Sequence, residues 1–121
     1  MDSGNTSESD ATIKAAIASR ESAVNTLVVS DPAQALRLSL HDPPYTAKDA
    51  ALKDAALDVV LKAIGAIKEA EIEDAVGALK LEECDILMKF IYRGLGQPKK
   101  GSQYPLLLKW HPIVLKRAGQ G

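Results

Sequence analysis

Residues 46–67 read TAKDAALKDAALDVVLKAIGAI, and this stretch decides the fold class. Leu52, Ala56, Val59 and Ala63 recur at spacings of three and four, so they line one row of a helix, with Leu57, Leu61 and Ile64 beside it. From Ala47 to Ile67 such a helix extends about 32 Å, at about 1.5 Å per residue. An apolar surface this wide must be covered on more than one side, which predicts a central helix. Thr46 with Asp49 three residues on approximates a capping box at its start, and Gly65 weakens its last turns.

Helical spacing also governs the chain on either side. Ile13, Ile17, Val24, Leu27 and Val28 fall near one face and predict a helix over Ala11–Val28. Asp31-Pro32 then supplies an N-cap followed by proline at the first helical position, opening a short helix with Ala35, Leu36 and Leu40 that His41-Asp42-Pro43-Pro44 ends. Downstream, the acidic run Glu69–Glu73 leads into a short helix carrying Ile72, Ala75, Val76 and Leu79. A further helix fits Glu82–Tyr92, with Gly94, Gly96 and Pro98 as its stop and Pro98–Gly101 as a flexible basic loop. Its stretch Ile86–Tyr92 has one polar residue in seven, so it must be covered nearly all round by this fold or by a partner. Ser102 is the expected cap of a last helix through Leu106, Leu107, Trp110, Val114 and Leu115, kinked or restarted at Pro112, which cannot donate to the carbonyl four residues back.

No alternating apolar and polar run is long enough for a convincing strand, and eighteen alanines with fifteen leucines suit close helix packing. The fold class read from the sequence is therefore all-α, a compact multi-helix domain. A faint similarity of Gln34-Ala35-Leu36 to Asp74-Ala75-Val76, forty residues on, hints at helical hairpins stacked in α-α superhelix, solenoid-like fashion. Residues 1–10 have no apolar side chain after Met1 and cannot offset the entropy of ordering, so they are expected to form a disordered acidic, serine-rich N-terminus. Residues 11–121 are expected to form one helical domain.

Composition narrows the function. With 46% apolar and 26% charged residues the chain is globular in type, and 121 residues are one domain's worth. A single cysteine, Cys84, closes no internal disulfide, and Met1-Asp2-Ser3-Gly4 is unlike a signal peptide, so an intracellular, reduced setting is expected. All sixteen acidic residues fall in positions 1–85 beside eight basic ones, whereas positions 86–121 hold seven basic residues and no acid. That asymmetry points to an acidic partner, or to pairing with acidic helices of the same fold.

Chemistry-bearing patterns are thin. His41 and His111 lie seventy residues apart with no ligand-spaced neighbour, so neither a metal nor a cofactor site is expected. Cys84 sits among Glu82, Glu83 and Asp85, a setting that raises a thiol's pKa and argues against a nucleophile. Glu69, Glu71, Glu73 and Asp74 read as a solvated helix N-terminus rather than an acid/base pair, and Gly94-x-Gly96 reads as a helix stop rather than a phosphate cradle. No catalytic residue is expected. Trp110 reads first as a core anchor and second as a partner contact.

The run Asp85-Ile86-Leu87-Met88-Lys89-Phe90-Ile91-Tyr92-Arg93-Gly94, followed by Leu106-Leu107-Leu108-Lys109-Trp110-His111, resembles subunit 5, the smallest, of the actin-related protein 2/3 complex. Ala35-Leu36 through Asp42-Pro43-Pro44, and Thr46-Ala47-Lys48 through Val59-Val60-Leu61-Lys62, agree with it, so the resemblance runs from about residue 31 to 118. It implies a non-enzymatic scaffold subunit, cytoplasmic and part of the actin cytoskeleton, in a complex that nucleates branched actin filaments. The implied partners are the propeller subunit, a neighbouring core subunit and one actin-related protein; the apolar stretches are broken long before the ~20 residues a membrane span needs, and nucleic acid is the disfavoured partner because Tyr92, Tyr104 and Trp110 are not interleaved with the basic residues. The candidate contact residues are Leu87, Met88, Lys89, Phe90, Ile91, Tyr92, Arg93, Lys109 and Trp110. A free-standing helical adaptor or nucleic-acid-binding domain using the basic stretch from Lys89 to Arg117 is the alternative.

Overall fold

The structure is a computed structural model that describes residues 9–119, so the expectation for residues 1–8 lies outside the described residues. Six α-helices and two 3-10 segments, with no strand, make up the described elements, and the class is all-α. Two compact units divide the chain after Ile64.

In the first unit, α1 (Asp10–Ser30) starts one residue before the expected boundary because the Ser9 hydroxyl oxygen accepts from the Thr12 N–H at 3.2 Å. Ile13, Ile17 and Val24 bury its inner face at the four- and seven-residue spacings read from the sequence. Asp31 ends α1, its N–H donating to the Leu27 carbonyl at 2.6 Å, and caps α2 (Pro32–Ser39), where its carboxylate accepts from the Gln34 N–H at 3.2 Å. Ala35 and Leu36 of α2 are fully buried, and the buried Ser39 hydroxyl donates to the Leu36 carbonyl at 2.6 Å.

Helix α3 (Ala50–Gly65) begins three residues later than the capping-box reading places it and ends two residues earlier. The Ala47 N–H is held by the Pro44 carbonyl at 3.2 Å in the turn after the proline pair, so Thr46 has no helix to cap. The Asp49 carboxylate takes the Ala51 N–H at 2.9 Å, while the Asp10 carboxylate, from the first turn of α1, accepts the Lys48 and Asp49 N–H groups at 3.1 and 3.0 Å. A carboxylate thirty-eight residues away thus holds the turn before α3, while Asp49 caps the helix locally. Both expected rows of α3 are buried: Leu52, Ala56, Val59 and Ala63 on one, Leu57, Leu61 and Ile64 on the other. On its outer side Lys62 bridges to Glu21 of α1 at 2.6 Å and reaches Asn25 at 3.3 Å.

In the second unit, a 3-10 turn (Glu69–Glu71) leads into α4 (Ile72–Gly77), which buries Ile72, Ala75 and Val76. Next comes α5 (Leu81–Leu95), at whose start the Lys80 N–H donates to the Glu83 carboxylate at 2.8 Å. Gly94 does not stop α5: it is buried inside it, and Gly96 provides the cap, its N–H reaching the Tyr92 carbonyl at 3.0 Å. Residues Pro98–Gln103 are a 3-10 segment rather than a loose basic loop, braced by the Tyr104 hydroxyl, which donates to the Gln97 carbonyl at 3.0 Å.

α6 (Tyr104–Ala118) starts after Gln103 instead of at a Ser102 cap, with Pro105 in its first turn. It runs through Pro112 without the expected restart. Pro112 and Leu108, whose carbonyl lacks a donor because of it, both stand on the exposed side, where water can take the donor's place. α5 and α6 pack as an antiparallel pair, as Tyr92 meets His111 and Leu79, just before α5, meets Arg117. Leu107, Trp110 and Val114 form the buried stripe of α6, whereas Leu115, expected on that stripe, is 49% exposed.

Candidate partner interface

No three His, Cys, Asp or Glu side chains converge on a possible metal site among the described residues. Cys84 is free and fully buried. Burial pushes its thiol pKa up, with Asp85 and Glu83 adding to the rise and Arg117 opposing it. The direction expected from the acidic neighbours is right, but burial is the larger cause. Glu69 of the acidic run is paired with Lys109 at 3.1 Å, so this acid and this base meet within the same unit. A cleft of about 200 Å³ in the first unit lies between α1 and the turn at 42–46. It holds Arg20, whose pKa burial lowers while Asp42 opposes the shift. Asp42 there sits in the left-handed region, at φ 50°.

The nine candidate contact residues divide by helical phase. Leu87, Met88, Phe90, Ile91 and Trp110 are buried within this chain. Along α5, positions 84, 87, 88 and 91 share the inner face at spacings of three and four, so the apolar run is covered by its own fold. Lys89 and Lys109 are exposed, Arg93 is half-buried and Tyr92 is 54% exposed. The Trp110 indole is buried completely, and its Nε1–H has no acceptor among the described residues.

The outer face gains residues that the sequence reading passed over. Leu108 is 57% exposed and, with His111 and Leu115, follows a spacing of three and seven along α6, the outward counterpart of the Leu107, Trp110 and Val114 stripe. His111 Nε2 and the Tyr92 hydroxyl lie 3.1 Å apart, with the rings edge to face at 5.3 Å. This pairing locks an aromatic side chain of α5 against α6 and leaves part of each ring in solvent. An exposed apolar and aromatic strip with lysines nearby is suited to binding a protein surface and offers no converging acid, base or nucleophile.

Comparison with known proteins agrees. The profile of the family described as ARP2/3 complex 16 kDa subunit (p16-Arc) matches residues 2–121. The chain is 41% identical to actin-related protein 2/3 complex subunit 5 of Dictyostelium discoideum over 122 residues, covering 100% of this chain and 86% of that protein. It is 41% identical over 87 residues to subunit 5-C of Xenopus laevis, covering 72% of this chain and 57% of that one. It is 38% identical over 91 residues to the human subunit 5-like protein, covering 75% and 59%. The chain spans less than two thirds of those two vertebrate proteins. With a profile match from residue 2 to residue 121 and an all-α fold carrying the Leu87–Arg93 and Leu107–His111 motifs in adjacent helices, the chain belongs to the family of ARP2/3 complex 16 kDa subunits (p16-Arc).

Proposed function

We propose that the chain is a non-catalytic structural subunit of the actin-related protein 2/3 complex, holding core subunits together and so supporting nucleation of branched actin filaments in the cytoplasm. The observation that carries this reading is the family match over residues 2–121, to a family named for a subunit of that complex. The propeller subunit, a neighbouring core subunit and one actin-related protein are its proposed partners, and residues 11–121 are proposed to act as one helical domain of solenoid-like character. Contact is made through Lys89, Tyr92, Arg93 and Lys109, with Leu87, Met88, Phe90, Ile91 and Trp110 as the packed layer that holds these side chains in place. The exposure of Tyr92, Leu108 and Leu115 supports that assignment, since apolar and aromatic side chains gain most from being covered. The adaptor or nucleic-acid-binding alternative has no support from the family.

Reconstitution tests the proposal. Mixed with the remaining subunits of the complex from one species, the chain is expected to enter a stoichiometric assembly that withstands moderate salt, because covered apolar contacts are screened far less than surface charges. Exclusion of the chain from that assembly, with filament branching unchanged in its absence, refutes the scaffold role.

A further inference from the structure

A groove of about 380 Å³ opens within the second unit, between α4 and α6. It is lined by Val76 of α4 with Pro112 and Ile113 of α6, and by Lys116 and Arg117. Arg117 is already oriented: its Nη2 donates to the Leu79 carbonyl at 2.9 Å, which holds the guanidinium in place, while its buried Nε–H has no acceptor among the described residues. The Nε–H itself is out of reach from the groove, but Arg117 lines it and a guanidinium is shaped to meet a carboxylate.

Gly77 is a second, independent sign. It lies in the last turn of α4 and lines the groove, yet its φ is not positive and a Cβ built on it meets nothing within 4 Å. Neither backbone conformation nor the packing of the chain itself requires glycine there. What the missing side chain does provide is room for another backbone to approach the groove closely.

We propose that the α4–α6 groove receives an acidic, partly apolar segment of another subunit, its carboxylate meeting Lys116 and Arg117 and its aliphatic part lying on Val76, Pro112 and Ile113. Charge complementarity selects this occupant, since Lys116 and Arg117 outnumber the one acid, Glu73, among the residues that line the groove. Glu73, the one acid lining the groove, repels a carboxylate, so the occupant's carboxylate is assigned to Lys116 and Arg117. The inference rests on the scaffold reading above and adds the site and the chemistry of one contact.

The test uses the reconstituted complex. Gly77→Trp starts from a position whose Cβ meets nothing within 4 Å, Lys116→Glu reverses an exposed charge, and the unfolding midpoint of each variant, expected to match the unaltered chain, is measured alongside. Each is expected to weaken incorporation of the chain by roughly tenfold, the size of effect seen at a well-placed interface residue, and Lys116→Glu should also flatten the salt dependence. A photo-crosslinker at Ile113 in the otherwise unaltered chain is expected to capture a partner peptide containing Asp or Glu. Full incorporation of both variants, or capture of a peptide without an acidic residue, overturns the groove assignment while the scaffold reading stands. If the unaltered chain does not enter the complex at all, both readings fall.

Discussion

Removing the indole of Trp110 is the sharpest test of how the second unit holds together. Trp110 is the single tryptophan, is completely buried between Leu107 and Val114 on the inner stripe of α6, and has an Nε1–H without an acceptor among the described residues. Trp110→Ala deletes the largest fully buried side chain and leaves a cavity that the surrounding helices close only in part. The expected cost is about 3–5 kcal/mol. For a chain of this size that lowers Tm by roughly 10–20 °C. Trp110→Phe separates two contributions: it loses ring volume but also deletes the orphaned donor, whose burial by itself costs about 1–3 kcal/mol. The Phe variant is therefore expected to lose less than half of what Ala loses. Thermal and urea unfolding followed by circular dichroism measure both variants, and the wild-type emission should be blue-shifted and resistant to acrylamide quenching. The reasoning is refuted if Trp110→Ala unfolds at the wild-type midpoint yet fails to join the complex, because the indole would then be a contact rather than a core residue. A loss for Trp110→Phe larger than the missing ring volume accounts for would show instead that the Nε1–H is satisfied.

Other expectations follow from single contacts. Asp10→Ala should cost about 1–2 kcal/mol and speed amide exchange at Lys48 and Asp49, whose N–H groups lose their acceptor. Pro112→Ala should stabilise α6 by roughly 1–3 kcal/mol, since an interior proline forfeits a helical hydrogen bond, and a lower unfolding midpoint would show that the helix needs the proline. Because burial raises the Cys84 pKa, the folded state resists forming the thiolate. Its contribution to stability is complete below the ordinary thiol value of 9.0 and is lost as pH rises past it, and Cys84→Ala should remove that part of the alkaline slope in a pH series of urea midpoints. Glu21→Gln, which breaks the half-exposed pair to Lys62, should change stability by less than about 1 kcal/mol in the same assay.

The sequence by itself determined the class and the order of the helices. Both rows of α3, the Ile13, Ile17 and Val24 face of α1, and the double role of Asp31 all follow from spacing and capping, which act within a few residues and are therefore visible in the chain. The family was legible as well, in the Leu87–Arg93 and Leu107–His111 motifs. Of the candidate contacts, Lys89, Tyr92 and Lys109 proved exposed, whereas Leu87, Met88, Phe90, Ile91 and Trp110 did not, since the phase of a nearly all-apolar helix depends on what packs against it.

Only tertiary structure could show that the Lys48 and Asp49 N–H groups, in the turn before α3, are held by Asp10, far away in the chain. The same holds for Gly94, carried inside α5 as a buried residue, and for Pro112, tolerated in α6 because its missing donor is on the exposed side. The exposed strip of Tyr92, Leu108, His111 and Leu115, and the groove beside Gly77, likewise arise where separate helices meet. Local propensity fixes where a helix can form, but the free energy of covering apolar surface and satisfying distant polar groups fixes where it begins, which way it faces and what it leaves open.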